Sequence, residues 1–132
     1  MRFLIDTNIF LEIILDQLKA DEAKSLLSET EKHDFYISDF SLHSIGLILF
    51  RRNQYQIFQQ FVNDMMINAG MMVLSLSLED MASVIRVAQK FKLDFDDSYQ
   101  YALTEKHKLV LVSFDADFDR TDQGKVTPIE IL

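Results

Sequence analysis

Four aspartates stand where predicted secondary-structure elements begin or end. Asp6 follows an apolar run near the N-terminus, and Asp115 and Asp117 follow a second apolar run near the C-terminus. Asp97 lies at the start of the helix predicted just before that second run. Neighbouring parallel strands lie under about 5 Å apart, so these carboxylates meet at one edge of a sheet if the two runs are adjacent strands.

Carboxylates gathered in this way repel one another, and some of them are forced to bind a proton. A bound divalent cation removes that cost. The chain contains no Cys, so the candidate ligands are carboxylate oxygens, which favour Mg²⁺ or Mn²⁺. The pattern therefore predicts a site for a divalent cation, an ion that can polarise a phosphodiester and activate water.

Each aspartate also has a simpler explanation. Asp6, which precedes Thr-Asn, is suited to capping a helix. Asp97 has two aspartates close before it, and acidic residues favour a helix N-terminus through the helix dipole. Asp115 and Asp117 belong to an acidic stretch that solvent alone can stabilise. The combination of positions at strand ends is what favours the metal site.

The elements that must position these residues alternate between short strands and amphipathic helices. The predicted strands are Arg2–Ile5, Phe35–Ile37, Met72–Leu76 and Leu109–Val112. The predicted helices include one from Ile9, Ala20–Lys32, one from Ser38 or Ser41, Gln54–Asn68, one from Ser77, Asp94–His107 and a turn from Thr127. This alternation predicts a three-layer α/β/α sandwich with a short, mostly parallel central sheet. In such sheets the C-terminal ends of the strands carry the site.

The helix predicted near Ser77 has an incomplete start signal. Ser77 and Asp80 are spaced as in a capping box, but Asp replaces the usual Glu. Helical spacing predicts that the buried face of this helix carries Met81, Val84, Ile85 and Ala88.

Length, composition and charge indicate one domain over residues 1–132. Of the 132 residues, 48% are hydrophobic and 26% are charged, which suits a single core. No run approaches the roughly 18 apolar residues that a membrane span needs, and Asp6 interrupts the first apolar run, so we expect a cytoplasmic protein. The net charge of −8 disfavours nonspecific binding of nucleic acid, because phosphate contacts need Lys and Arg.

Three segments together resemble a known family. Phe3–Asn8 (FLIDTN), Leu93–Ala102 (LDFDDSYQYA) and Leu111–Phe118 (LVSFDADF) are similar to the three main motifs of the PIN domain, the fold of VapC-type toxin ribonucleases. The resemblance spans essentially the whole chain, with the motifs in the family's order and spacing.

The resemblance implies a metal-dependent endoribonuclease that takes RNA as its substrate. By position, Asp6, Asp97 and Asp115 correspond to catalytic metal ligands for Mg²⁺ or Mn²⁺, with Asp117 in support. A cognate antitoxin is the protein partner that the resemblance suggests, and a homodimer is compatible with it.

Supporting positions follow from the same resemblance. Ser113 corresponds to the hydroxyl residue that braces the site, and Asn8 to the polar residue beside the first aspartate. The family usually carries a Glu on the helix after the second strand, and here Ser44 takes that position. His43 and Asp39 are the nearby substitutes. Loss of one carboxylate should weaken metal binding, by about 10–100-fold if it acts like other losses around metal sites.

Two classes of function therefore remain open. The first is a metal-dependent ribonuclease, the toxin of a toxin–antitoxin pair. The second is a PIN-like module that binds metal, RNA or a protein without cleaving RNA. The aspartates favour the first class, and Ser44 in place of Glu favours the second. A neighbouring gene for a small DNA-binding antitoxin would favour the toxin.

Overall fold

The computed structural model describes residues 1–132 and contains one sheet of four parallel strands. The strands are β1 (Arg2–Ile5), β2 (Asp34–Ser38), β3 (Met72–Leu74) and β4 (Val110–Val112), in the order β3-β2-β1-β4. The α-helices are α1 (Thr7–Ile14), α2 (Ala20–Leu27), α3 (Asp39–Arg51), α4 (Tyr55–Phe61), α5 (Met81–Phe91), α6 (Phe95–His107) and α7 (Pro128–Ile131). None of these helices has the length and apolar character that a membrane span requires.

The sheet is buried on both faces, and each face has its own core. Successive side chains of a strand point to opposite faces, and in β1 Phe3 and Ile5 pack with residues of α1 to α3, whereas Leu4 packs with residues of α5 and α6. In β4, Val112 joins the first core and Leu111 the second. The predicted three-layer sandwich with a parallel sheet is therefore confirmed.

Strands β1 and β4 are neighbours, which is the condition on which the predicted site depends. Ile5 pairs with Val112 in parallel register, and the Asp6 N–H donates to the Val112 carbonyl at 2.9 Å. The residues that follow the two strands therefore leave the sheet side by side.

Several helices begin or end at residues other than those that the sequence predicts. Helix α2 ends at Leu27 instead of Lys32, because the chain turns back toward β2 with the Lys32 and His33 N–H groups donating to the Glu29 carbonyl. The predicted helix Gln54–Asn68 consists of α4 followed by a π-helix, Val62–Asn68, and ends before Gly70, whose φ of 69° suits glycine. Of the two candidate caps of α3, Ser38 is the one used: its Oγ accepts from the Ser41 N–H at 2.9 Å.

Helix α5 begins later than the sequence predicts, and of the predicted inner face Val84 is buried and Met81 packs against the core, but Ile85 is exposed. The helix starts at Met81, because Ser77 donates to the Asp80 carboxylate and does not cap the helix. Its buried residues are Val84, Val87 and Phe91, whereas Ile85 is 57% exposed. Spacings of three and four residues fit either Ile85 or Val87 on the inner face, and the packing of α5 against α6 selects Val87.

The central strand β2 offers a test of these packing assignments. Ile37 is fully buried, and Ile37→Ala should lower the free energy of unfolding by about 2–5 kcal/mol, because it leaves a cavity in the core. The matched variant is Ile85→Ala on the exposed face of α5, which should change it by less than about 0.5 kcal/mol. Urea denaturation measures both values, and equal losses would contradict the assignment.

Candidate metal centre

An open cleft of about 310 Å³ lies at the C-terminal edge of the sheet, where β1 and β4 end. Its acidic lining consists of Asp6, Asp96, Asp97 and Asp115. The other polar lining residues are Thr7, Asn8, Ser44 and Gln100, and three apolar residues, Leu11, Phe40 and Ile48, complete the wall. The cleft is thus polar and strongly acidic, with an apolar portion contributed mainly by α3.

Asp6 stands at the junction of β1 and α1 and is only 6% exposed. Its Oδ1 accepts from the Thr7 N–H at 2.9 Å, so it is the N-cap of α1, as its simpler explanation proposes. Its Oδ2 accepts from the Ser113 Oγ–H at 2.6 Å. Burial raises the pKa of the Asp6 carboxyl, and the hydrogen bonds from Ser113, Gln100 and Thr7 oppose that rise.

Asp97 lies in the first turn of α6, so its side chain reaches the cleft at the start of the helix. Its N–H donates to the carboxylate of Asp94, the N-cap residue, at 3.1 Å. Burial raises the pKa of Asp97 to about 7, and repulsion from Asp94, Asp115, Asp6 and Asp117 adds to the effect. At neutral pH this carboxyl therefore holds its proton part of the time.

Asp115 and Asp117 both follow β4. Asp115 is the N-cap of the 3₁₀ turn Ala116–Arg120, and Asp117 lies within that turn. The Asp117 N–H donates to the Asp115 Oδ1 at 2.9 Å, and the Arg120 guanidinium donates to the Asp117 Oδ1 at 2.9 Å. Carboxylate oxygens of Asp97, Asp115 and Asp117 all lie within 4.8 Å of one another. The three aspartates therefore lie close together, as the sequence predicts, although Asp97 belongs to α6 and the other two follow β4.

Asn8 and Ser113 connect the two strand ends. The Asn8 amide donates to the Ser113 Oγ at 3.1 Å and, through a longer contact of 3.4 Å, to the Asp6 Oδ2. The Asn8 Oδ1 accepts from the Phe114 N–H at 3.2 Å, and the Ser113 Oγ also accepts from the Asp115 N–H at 3.0 Å. Both side chains thus hold the carboxylates and the backbone around them in place.

The residues of α3 differ in where they point. Ser44 lines the cleft, but His43 is exposed and lines a separate apolar groove with Leu47 and Phe50. Adjacent helical residues point about 100° apart, so His43 does not reach the acidic residues beside which we expected it. Asp39 also stays outside the cleft, where its carboxylate accepts from the Tyr99 hydroxyl at 2.8 Å. No acid on α3 therefore takes the place of the Glu that the family usually carries at the position of Ser44.

Gln100 and Ser41 belong to the site, and sequence reasoning missed both. The Gln100 Nε2 donates to the Asp6 Oδ1 and to the Ser41 Oγ, each at 2.9 Å, and Gln100 is 1% exposed. The available signal was spacing, because Gln100 follows Asp97 by three residues and so shares its face of α6. A polar residue in a helix that is buried from Ser98 to Thr104 needs a hydrogen-bond partner.

The donor set fits a hard divalent cation such as Mg²⁺ or Mn²⁺. All candidate ligands are carboxylate oxygens, and of the three aspartates only Asp117 is paired with a basic side chain, that of Arg120. The buried Gln100 Oε1 accepts no hydrogen bond from the protein. The cleft therefore holds more negative charge and acceptor capacity than the surrounding side chains satisfy.

The raised pKa of Asp97 predicts how metal-free stability changes with pH. The folded-state pKa of about 7 lies above the ordinary 3.8, so this group contributes stability at low pH that is lost as the pH rises from about 4 to about 7. Asp97→Asn cannot ionise, and its stability advantage over the wild type should therefore be larger at pH 8 than at pH 5. Urea denaturation with a chelator present measures the difference.

The control for this experiment is Asp34→Asn, at the opposite, N-terminal end of the strands. Its stability should follow the wild-type pH dependence. If Asp97→Asn also follows the wild type at both pH values, the crowded carboxylate site is refuted.

Comparison with known proteins places this geometry in a family. The family model described as PIN domain matches residues 3–124, whereas no protein of curated function matches the chain. Similar solved structures include a toxin–antitoxin complex from Klebsiella pneumoniae, with 24% identity, a TM-score of 0.73, and coverage of 95% of this chain and 96% of that chain.

Two further structures are similar in fold. VapBC2 from Rickettsia felis, bound to a DNA fragment from its promoter, has 14% identity and a TM-score of 0.78, with 96% of this chain and 97% of that chain covered. VapC20 from Mycobacterium tuberculosis, a toxin that cleaves the sarcin-ricin loop, has 16% identity and a TM-score of 0.77, with 96% and 99% covered. The TM-scores of these structures show a shared fold. The match of the family model over residues 3–124 shows that the chain belongs to the PIN domain family.

Proposed function

We propose that this protein is a divalent-cation-dependent endoribonuclease of the VapC toxin type. The observation that carries the proposal is the group of carboxylate oxygens from Asp97, Asp115 and Asp117 within 4.8 Å of one another. Asp6 lines the same cleft, close enough to raise the pKa of Asp97. The similarity in fold to toxins and toxin–antitoxin complexes supports RNA as the substrate and an antitoxin as the protein partner.

Asp97, Asp115 and Asp117 would hold the cation, with Asp6 beside them. When bound, Mg²⁺ or Mn²⁺ supplies Lewis-acid activation of water and of the scissile phosphate. The residues of the chain keep the site ready for this role: Ser113 and Gln100 fix the Asp6 carboxylate. Asp97 must release its proton before it can act as a ligand, so protons and the cation compete for it.

Ser44 bears on how many cations the cleft can hold. Asp117 is paired with Arg120 at 2.9 Å, and the residue of α3 that lines the cleft at position 44 carries no charge. We therefore propose one tightly bound ion, with Ser44 in place of Glu as the reason that a second ion is weakly held.

The acidic surface bears on how RNA is bound. The net charge is −8, and Arg120, the basic residue bonded within the acidic cluster, is already paired with Asp117. A polyanion therefore gains little attraction from the protein alone, and the bound cation has to neutralise the cleft first. We therefore expect the affinity for RNA to depend strongly on the concentration of the divalent ion and only weakly on the concentration of monovalent salt.

The second candidate function is a PIN-like module that binds a partner or RNA without cleaving RNA. The observation that favours it is Ser44, since neither His43 nor Asp39 brings a replacement acid into the cleft. A serine hydroxyl carries no charge and is a weak ligand for Mg²⁺. The two functions separate in a cleavage assay.

The assay incubates the protein with a panel of structured and single-stranded RNAs and Mn²⁺ or Mg²⁺. The wild type should cleave, and Asp97→Asn or Asp6→Asn should cut the rate by about 100-fold or more, because each removes charge that the cation needs. Asp34→Asn should cleave at the wild-type rate. Cleavage that survives in both active-site variants would identify a contaminating nuclease and contradict the proposal.

Binding of the cation is measured separately from cleavage. Millimolar Mn²⁺ should raise the melting temperature of the wild type, since a ligand that binds only the folded state stabilises it, and Asp97→Asn should abolish this rise. Metal binding without RNA cleavage would favour the non-cleaving module.

Ser44→Glu tests the effect of the missing acid. The introduced carboxylate enters the cleft that Ser44 lines, so it should tighten Mn²⁺ binding by about 10-fold or more and increase the cleavage rate. It should also lower the melting temperature of the metal-free protein, because another negative charge joins the cluster. Isothermal titration and thermal melting measure the two effects, and His43→Ala is the control, because His43 lies outside the cleft.

A further inference from the structure

The Gln100 amide links three elements at the base of the cleft. Its Nε2 donates to the Asp6 Oδ1 at the end of β1 and to the Ser41 Oγ on α3, each at 2.9 Å. Ser41 is in turn bonded to Thr7 at 2.7 Å and to Ser38 at 3.1 Å. A single side chain of α6 thus connects the first aspartate with the helix on which Ser44 lies.

We propose that Gln100 is a positioning residue that takes over part of the work of the carboxylate absent at Ser44, by holding Asp6 with a neutral amide. The inference rests on the proposed function, because it concerns the same cation site. In this proposal Gln100 acts through Asp6: its hydrogen bond fixes the position of the Asp6 carboxylate before the ion binds.

The physical argument begins with charge. A Glu at position 44 would place a second carboxylate in the cleft beside Asp6, and two adjacent carboxylates stay ionised together only with a cation near them. The Gln100 amide has two N–H donors and no charge. It stabilises ionised Asp6 in the absence of any cation, so the site can be organised before the ion binds.

The second step concerns the capacity of Asp6. Its Oδ1 already accepts from Thr7 and Gln100 at 2.9 Å, and its Oδ2 accepts from Ser113 at 2.6 Å. Asp6 is 6% exposed, so few acceptor positions remain open to an ion. The ion should therefore depend on Asp6 for charge and on the carboxylates of α6 and the segment after β4 for most of its direct bonds.

The third step concerns the other atom of the amide. The Gln100 Oε1 is buried and has no hydrogen-bond partner, although Gln100 lines the cleft. Rotating the amide to exchange its N and O would turn an oxygen toward the Asp6 carboxylate, which is repulsive. The buried Oε1 is therefore left without a donor, and this unsatisfied oxygen is the cost of turning the Nε2 toward Asp6 and Ser41.

Calorimetric titration with Mn²⁺ tests the inference without relying on cleavage. Gln100→Leu keeps the volume but removes the donors, and it should weaken Mn²⁺ binding by about 10–100-fold. Gln89→Leu, an exposed site on α5, is the matched control and should bind as the wild type does. Ser44→Glu should tighten Mn²⁺ binding by a larger factor in Gln100→Leu than in the wild type, a coupling that a purely structural glutamine does not predict.

Gln100→Glu is the second variant, chosen because it is nearly isosteric and keeps the packing. The change replaces a donor to Asp6 by a like charge, so the metal-free melting temperature should fall. The rise in melting temperature on adding Mn²⁺ should become larger than in the wild type. If Gln100→Leu does not fold, this variant and its response to Mn²⁺ decide the question.

The outcomes separate this inference from the proposed function. If the wild type binds Mn²⁺ and both Gln100 variants bind and respond as the wild type does, the role of Gln100 is overturned and the metal site stands. The role is likewise overturned if Ser44→Glu tightens Mn²⁺ binding no more in a folded Gln100→Leu than it does in the wild type. If the wild type neither binds Mn²⁺ nor cleaves RNA, the proposed function and the role of Gln100 fall together.

Discussion

The site depends on one buried carboxylate, that of Asp6 at the end of β1, and on the hydrogen bonds that it accepts. Burial of a charge is costly unless hydrogen bonds replace the lost water, and here the donors come from Thr7, Ser113 and Gln100. These donors belong to α1, to the segment after β4 and to α6. The carboxylate is therefore stabilised only when β1 and β4 pair and α6 packs across the end of the sheet, so the fold and the site form together.

The crowding around Asp97 has the opposite effect on stability. Its pKa of about 7 reflects burial and repulsion that the folded protein must overcome at neutral pH in the absence of a cation. Structural ion pairs usually arrange opposite charges, as Asp80, just before α5, does with Lys106 on α6. There, hydrogen bonds from Lys106 and Ser77 lower the pKa of Asp80 to about 2. A cluster that instead raises a carboxyl pKa in a cleft is typical of a functional site.

Much of this arrangement could be predicted from the sequence, because it depends on local patterns. The apolar runs of β1 and β4, and the aspartates that follow them, locate the strand ends without knowledge of the packing. The face of α5 could not be predicted, since Ile85 and Val87 both fit helical spacing and only the contact with α6 distinguishes them. The spacing of Gln100 from Asp97 places both on one face of α6, but spacing does not show that the Gln100 side chain is buried; the packing of α6 across the sheet decides that.

Ser44 and Gln100 are uncharged residues of the cleft, and together they limit the negative charge that the site carries. A further unpaired acid in the cleft would raise its affinity for a cation and increase the repulsion between carboxylates in the absence of one. With Ser44, the cleft keeps fewer charges to neutralise, and Gln100 can hold Asp6 by hydrogen bonds at 2.9 Å. The family fold fixes where an acid at position 44 would point, but the side chains around Asp6 decide how much charge the site carries and how far it depends on an ion for its order.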